Sequence, residues 1–204
     1  MKVFGLTGGI GMGKSAAAEL LRQRGVPVVD TDLLARQIAE PGQPALQEIQ
    51  RAFGPEVIAV DGRLRRDELA RIAFASAAAR QQLESITHPR IRQLWKKQIE
   101  AWRHEQRPFA VVVIPLLFET GAEAELDASV CVACSAATQQ RRLAERGWTP
   151  DQIRQRLEAQ WPVEKKIARS DFVVWSEGDL SVVAEQLDRV FPVPRSAGLR
   201  PGER

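Results

Sequence analysis

The chain has 204 residues, of which 44% are hydrophobic and 27% charged, with a formal net charge of +3. That is enough chain for one domain with a real core and small insertions, and its dispersed, mildly positive charge suits an anionic small molecule but is too weak to imply nucleic acid. No apolar run approaches the length of a membrane span and the chain enters a strand at once, so neither a membrane segment nor a signal peptide is expected, and a cytoplasmic monomer or weak oligomer is.

The first predicted strand is the apolar run at residues 3–6. It leads into Gly8-Gly9-Ile10-Gly11-Met12-Gly13-Lys14-Ser15, which fits Gly-x-x-x-x-Gly-Lys-[Ser/Thr] at every fixed position. Residues 16–24 follow with Ala17, Leu20 and Leu21 at helical spacing, and Gly25 stops the helix. Strand, glycine loop and helix in this order make a phosphate cradle. The glycines let the backbone turn tightly and aim its N–H groups inward, and the helix start adds its positive dipole end. Lys14 is placed to reach the β- and γ-phosphates and the Ser15 hydroxyl to ligate Mg²⁺. Gly11, Met12, Gly13, Lys14, Ser15 and Ala16 are the candidate nucleotide-binding residues.

A second strand at 26–29 ends at Asp30-Thr31-Asp32. Carboxylates at the carboxyl end of a parallel strand lie on the ligand side of an open α/β sheet. In an extended chain Asp30 and Asp32 point the same way, as a pair that holds Mg²⁺ or orients a substrate hydroxyl. The competing reading is that Thr31 or Asp32 caps the helix at 33–39. Residues 44–103 read as mostly helical. Within them Thr87-His88-Pro89 looks like a helix start, with Arg90 and Arg92 nearby, either to receive an anion or as a solvated basic turn. Ile91, Leu94, Trp95, Ile99 and Trp102 form a packing stripe beyond it.

Residues 109–114 are the most apolar stretch, a parallel strand buried on both faces, and it runs into Pro115-Leu-Leu-Phe-Glu119. Glu119 either contacts metal or substrate, or pairs locally. Residues 128–134 form the next strand and contain both cysteines, Cys131 and Cys134, read as buried strand residues in a reducing compartment. Helices at 138–146 and 151–160 carry Arg141, Arg142, Arg146, Arg154 and Arg156. Basic residues facing across such a hairpin suit a lid over phosphates, or a solvated face. A fifth strand at 172–175 and a helix at 180–190 close the fold, and the tail at 193–204 is expected to be disordered.

Several of these segments together resemble the dephospho-coenzyme A kinase family, over residues 1 to about 190. They are Gly5 through Ser15, Asp30-Thr-Asp32 with Ala35-Arg36 and Glu40-Pro-Gly42, and Leu83-Glu-Ser-Ile-Thr-His-Pro89. Ile114-Pro-Leu-Leu-Phe-Glu119, Gln139-Gln-Arg-Arg142 through Arg146, and Arg156-Leu-Glu-Ala-Gln160 follow in the family's order. The resemblance implies an α/β fold of P-loop NTPase type: a parallel five-stranded sheet flanked by helices, with a helical substrate-binding insertion and a helical lid. It divides the chain into a nucleotide core at 1–30, 105–136 and 170–192, a CoA-substrate region at 31–104 and a lid at 137–169. It implies transfer of a phosphoryl group from ATP with Mg²⁺ to the ribose 3′-hydroxyl of dephospho-CoA. Asp32, Lys14 and Arg142 are then the catalytic candidates, with Asp32 as base. Arg146, Ser176 and Gly178 join the nucleotide site. Thr7, Asp32, His88, Leu116 and Glu119 touch substrate, and Ser15 holds the metal, with Asp30 as a second candidate.

The chain departs from the family pattern at three places. Met12 stands where the family usually has Ser, and Ala16 where it has Thr. Trp175-Ser176-Glu177-Gly178 replaces Asp-Asn-x-Gly after the last strand. Another small-molecule or nucleoside monophosphate kinase on the same fold is the alternative, because function lives in the acceptor site. A GTPase switch is not supported: no Asp stands three residues before a Gly, and the chain contains no Asn for a guanine-reading motif.

Overall fold

The computed structural model describes residues 1–192, so the expected disordered tail at 193–204 lies outside the described residues. Five strands form one sheet: β1 (Lys2–Thr7), β2 (Val28–Asp30), β3 (Phe109–Val113), β4 (Ala128–Ala133) and β5 (Phe172–Trp175), in the order β2-β3-β1-β4-β5. The pairing is parallel, with Leu6 opposite Val113 on one side and Val130 on the other. Parallel strands need crossovers that cover both faces, which is why β1, β3 and β4 read as near-continuous apolar runs.

One face of the sheet is packed by α1 (Lys14–Gln23) and α9 (Leu180–Val190). Alternate residues Phe4, Leu6, Val111, Val113, Val130 and Val132 turn toward Ala17, Ala18 and Leu21 of α1 and Val183 and Leu187 of α9. Because β1 lies between β3 and β4, its carboxyl end sits where the chain departs to either side of the sheet. Ligands of open α/β sheets bind at that point, and the loop after β1 is the phosphate-binding motif.

The chain divides into two compact units, residues 1–29 with 102 onward, and residues 30–101. Segment 137–169 groups with the first. The second contains α2 (Thr31–Gln37), α3 (Pro44–Phe53), α4 (Arg66–Ala75) and most of α5 (Ala77–His104). It has its own core of Ile49, Phe53, Val57 and Leu69, with Ile72, Leu83 and Ile86 packed against it.

The expected helix start at Thr87-His88-Pro89 is not there. α5 runs unbroken through Pro89, and the break falls at Ser76, whose extended backbone separates α4 from α5. Pro89 removes one backbone donor from the helix. Around it Thr87 Oγ1 donates to the Leu83 carbonyl at 2.9 Å and Arg90 Nη1 to the Ile86 carbonyl at 2.6 Å. Arg90 Nη2 also pairs with Glu48 at 2.6 Å. A helix interior presents no free N–H groups, so His88 has no anion-receiving terminus beside it. In the first unit α6 (Ala136–Glu145), α7 (Pro150–Glu158) and α8 (Val163–Arg169) follow β4; the sequence pattern had no place for α8. Among the described residues no helix is long and apolar enough to cross a membrane.

Candidate active site

The path of the loop after β1 depends on its glycines. Gly8 has φ +142°, and a Cβ there would collide with the Val132 carbonyl of β4. Gly13, at φ +92°, is the left-handed N-cap of α1, and no side chain caps the helix there. The first turn of α1 therefore carries neither a side-chain cap nor an acidic residue, which suits an anion at this helix start. Lys14 folds back over the loop and donates from Nζ to the Gly8 and Gly9 carbonyls, both at 2.8 Å. Ser15 is exposed and Ala16 half-buried on the first turn of α1.

Met12, a candidate nucleotide contact, turns its side chain into the protein. Its side chain is buried with Ala133 and Cys134 beside Val163 and Ile167, and its N–H turns to the Gly9 carbonyl at 3.3 Å. An apolar side chain gains more from that cluster than from a polar loop mouth. Ser176 is likewise spent inside the protein. Its hydroxyl donates to the Met12 carbonyl at 2.8 Å and accepts from Arg142 Nη1 at 3.0 Å, while its carbonyl accepts from Arg142 Nη2 at 2.6 Å. Gly178, two residues on, is exposed at φ +77°. Glu177 between them accepts from the Ser135 N–H at 2.9 Å, at the start of α6, and from Trp175 Nε1 at 3.2 Å. The Ser135 bonds, together with Thr138, pull its carboxyl down to about 2.

A second polar group lies at the carboxyl ends of β1 and β3. Thr7 is fully buried and donates its hydroxyl to the Pro115 carbonyl at 3.1 Å. The same carbonyl accepts from Lys166 Nζ at 2.7 Å. Lys166 is 0% exposed and forms an ion pair with Glu119 Oε1 at 2.8 Å, and that oxygen also accepts from the Trp161 N–H at 2.8 Å. Glu119 Oε2 is buried with no hydrogen-bond partner among the described residues. Half-buried Leu116 offers its carbonyl to Thr120 Oγ1 at 2.8 Å. Sequence reasoning missed Lys166. The available signal was its place between Val163 and Ile167 on the inward face of α8, where a lysine is tolerated only with a partner.

Asp30, not Thr31 or Asp32, caps α2: its Oδ1 accepts from the Asp32 N–H at 2.8 Å. Helix begins at Thr31, so the extended alternation that would align the two carboxylates does not apply. Asp32 lies exposed on the first turn, and Thr31 is buried. His88 is half-buried on α5. The arginines of α6 and α7 do not face one another as a single bank. Arg142 reaches Ser176, Arg154 pairs with Asp151 at 2.8 Å, and Arg156 lies over the Trp148 ring at 4.3 Å. Arg146 is the exposed C-cap of α6. Successive helical positions point about 100° apart, which separates Arg141 from Arg142. Cys131 and Cys134 are both free and buried, and burial pushes the Cys131 thiol up to about 11.

Among the described residues no cluster of three or more His, Cys, Asp or Glu side chains could hold a metal. Mg²⁺ beside phosphates takes one or two protein oxygens and completes its shell with phosphates and water. The exposed Ser15 hydroxyl is such an oxygen. Asp30 is committed to its cap through one carboxylate oxygen.

A parallel sheet with a lysine-bearing P-loop after its central strand, flanked by arginine-carrying helices, defines a P-loop kinase. The family model described as dephospho-CoA kinase matches residues 2–181. The dephospho-CoA kinase of Anaeromyxobacter dehalogenans is 47% identical over 192 residues, covering 94% of this chain and 91% of that protein. That of Thiobacillus denitrificans is 44% identical over 190 residues, with 92% and 93% covered. The chain belongs to the dephospho-CoA kinase family. A crystal structure from Thermus thermophilus superposes with a TM-score of 0.82 at 35% identity, covering 94% of this chain and 96% of that one. The dephospho-CoA kinase structure from Campylobacter jejuni shares the fold, with a TM-score of 0.69 at 24% identity and 97% and 98% covered.

Proposed function

We propose that this protein transfers the γ-phosphoryl group of ATP to the ribose 3′-hydroxyl of dephospho-CoA, giving coenzyme A and ADP. The observation that carries the reading is family membership across residues 2–181, with the P-loop lysine and serine intact. Phosphoryl transfer needs positioning and charge neutralisation more than covalent chemistry, because the group in flight spreads negative charge over its oxygens.

In this reading the N–H groups at Gly11, Gly13 and the start of α1 receive the phosphates. Lys14, steadied over the loop by the Gly8 and Gly9 carbonyls, neutralises the phosphate oxygens. Ser15 would hold Mg²⁺, which supplies further neutralisation of the phosphate charge when bound. Asp32 accepts the proton of the 3′-hydroxyl as it attacks. Arg142, anchored on Ser176 through its guanidinium fork, brings a permanent positive charge to the phosphate oxygens. Residues 31–104 take the CoA arm with His88, and 137–169 act as the lid. Glu119 supports a substrate role through its unsatisfied buried Oε2, an acceptor for a ligand hydroxyl or N–H. Gly178 and Arg146 remain the candidates on the adenine side. Two free buried cysteines agree with a reducing cytoplasm.

The test is a coupled assay with ATP, Mg²⁺ and dephospho-CoA, run beside a panel of nucleoside monophosphates and other small alcohols. Turnover confined to dephospho-CoA is expected. Turnover of another acceptor with none of dephospho-CoA overturns the reading.

A further inference from the structure

The P-loop of this chain is gripped from outside at Ile10. The Ile10 N–H donates to Gln160 Oε1 at 3.2 Å, and the Ile10 carbonyl accepts from Gln139 Nε2 at 2.7 Å. Gln139 is buried on α6, and Gln160 lies just past the C-cap of α7. Each bond controls a whole peptide plane, since a trans peptide is rigid and its carbonyl and N–H point opposite ways. The plane joining Gly9 to Ile10 has its carbonyl on Lys14 Nζ and its N–H on Gln160. The next plane, joining Ile10 to Gly11, has its carbonyl on Gln139, which turns the Gly11 N–H away from α6.

We propose that Gln139 and Gln160 are positioning residues for phosphoryl transfer, locking two consecutive peptide planes so that the Gly11 N–H and the Lys14 ammonium are aimed at the phosphates. The inference rests on the kinase reading above. A loop with Gly8, Gly9, Gly11 and Gly13 has little stiffness of its own. Aim then has to come from neighbours. A glutamine amide suits the task because it offers a donor and an acceptor without a charge. A carboxylate here would repel the phosphates, and an ammonium would compete with Lys14. Neither glutamine touches substrate in this role; both act through the Ile10 backbone.

The test uses Gln139→Met, Gln160→Met and the double variant of the full chain, near in shape but unable to hydrogen-bond. Each single change is expected to lower kcat about 10- to 100-fold, as small misplacements of reacting groups do, with much less effect on KM for ATP. Because both residues act through the same loop segment, the double variant is expected to be little worse than the weaker single. Independently of turnover, exchange of the Ile10 amide hydrogen is expected to quicken in Gln160→Met without any substrate present. Near-normal kcat in folded Gln160→Met overturns the proposal, as does a double variant whose loss is the product of the singles. Gln160 is half-buried beyond a helix end, so its variant decides the matter even where Gln139→Met does not fold. A wild-type protein inactive on dephospho-CoA counts against the functional reading instead, while amide exchange still reports on the clamp.

Discussion

Ser176 donates its hydroxyl to the carbonyl of Met12 at 2.8 Å, tying the exit of β5 to the middle of the P-loop. Both residues are buried, and the hydroxyl is an internal strut. Ser176→Ala leaves the Met12 carbonyl without its partner and is expected to destabilise the fold by about 1–3 kcal/mol. The ratio of kcat/KM for ATP over GTP is expected to stay the same. Urea unfolding and the two nucleotide titrations check this. A collapsed ratio at unchanged stability would make the Ser176 hydroxyl a base contact.

Asp30 and Asp32 separate cleanly by substitution. Asp32→Asn is expected to lower kcat by roughly 10²–10⁴, as loss of a general base does, with little change in unfolding midpoint. Asp30→Ala removes the N-cap of α2 and is expected to cost about 0.5–2 kcal/mol of stability. Kinetics and urea unfolding on both variants give the answer. Near-normal kcat in Asp32→Asn removes Asp32 from the chemistry.

Much of this was legible in the sequence because it is local. The P-loop, its flanking strand and helix, and the five strands are set by periodicity and by glycines within a few residues of one another. What was not legible depends on distant partners. Pro89 reads as a helix start, yet side-chain bonds from Thr87 and Arg90 to helix carbonyls accompany its place in the middle of α5. Lys166 reads as a surface lysine until Glu119, 47 positions earlier in the numbering, is brought to 2.8 Å. The bonds of the Ser176 hydroxyl to Met12 and Arg142 join positions 164 and 34 residues apart. Short-range pattern cannot carry such pairings.

The Lys166–Glu119 pair gives a stability prediction of its own. Breaking a buried ion pair from one side strands the other charge, which typically costs about 3–5 kcal/mol. Lys166→Met is therefore expected to be strongly destabilising. Adding Glu119→Gln removes the stranded charge while keeping an acceptor for the Trp161 N–H, so the double variant is expected to recover part of the loss. Urea midpoints of the two proteins decide it; a double variant weaker than Lys166→Met shows that the charges are not coupled.

Glu177 makes stability depend on acid. Its folded carboxyl is held down to about 2 from an ordinary 4.5 by bonds to Ser135 and Thr138. A depressed carboxylate contributes stability that is fully present above its unfolded value and is lost as pH falls through the folded one. The wild-type urea midpoint is thus expected to drop between about pH 4.5 and pH 2. In Glu177→Gln the drop over that window is expected to be smaller. Equal acid sensitivity in the two proteins would assign the effect to other carboxylates.

Arg142 combines an anchor with a charge. Two guanidinium nitrogens meet the hydroxyl and the carbonyl of one residue, Ser176, at 3.0 and 2.6 Å. That fork places a permanent cation next to the residue that braces the P-loop. A lysine carries the charge but not the fork, because its ammonium is a single point on a flexible stem. If Arg142 stabilises the phosphoryl group in flight, its loss appears in kcat more than in KM. An arginine finger contributes on the order of 10³–10⁵ in kcat, and the lower end is expected here, since Arg141 and Arg146 lie on the same helix and keep positive charge nearby. Arg142→Lys is expected to rescue little. Arg141→Ala is expected to be mild, because Arg141 is exposed and its contact with Glu145 at 3.9 Å is a surface pair of about 0–1 kcal/mol. Steady-state kinetics with ATP and dephospho-CoA on Arg142→Ala, Arg142→Lys and Arg141→Ala test all three statements. Full rescue by Lys reduces Arg142 to a point charge. A crippled Arg141→Ala beside a healthy Arg142→Ala moves the role to the neighbouring face of α6.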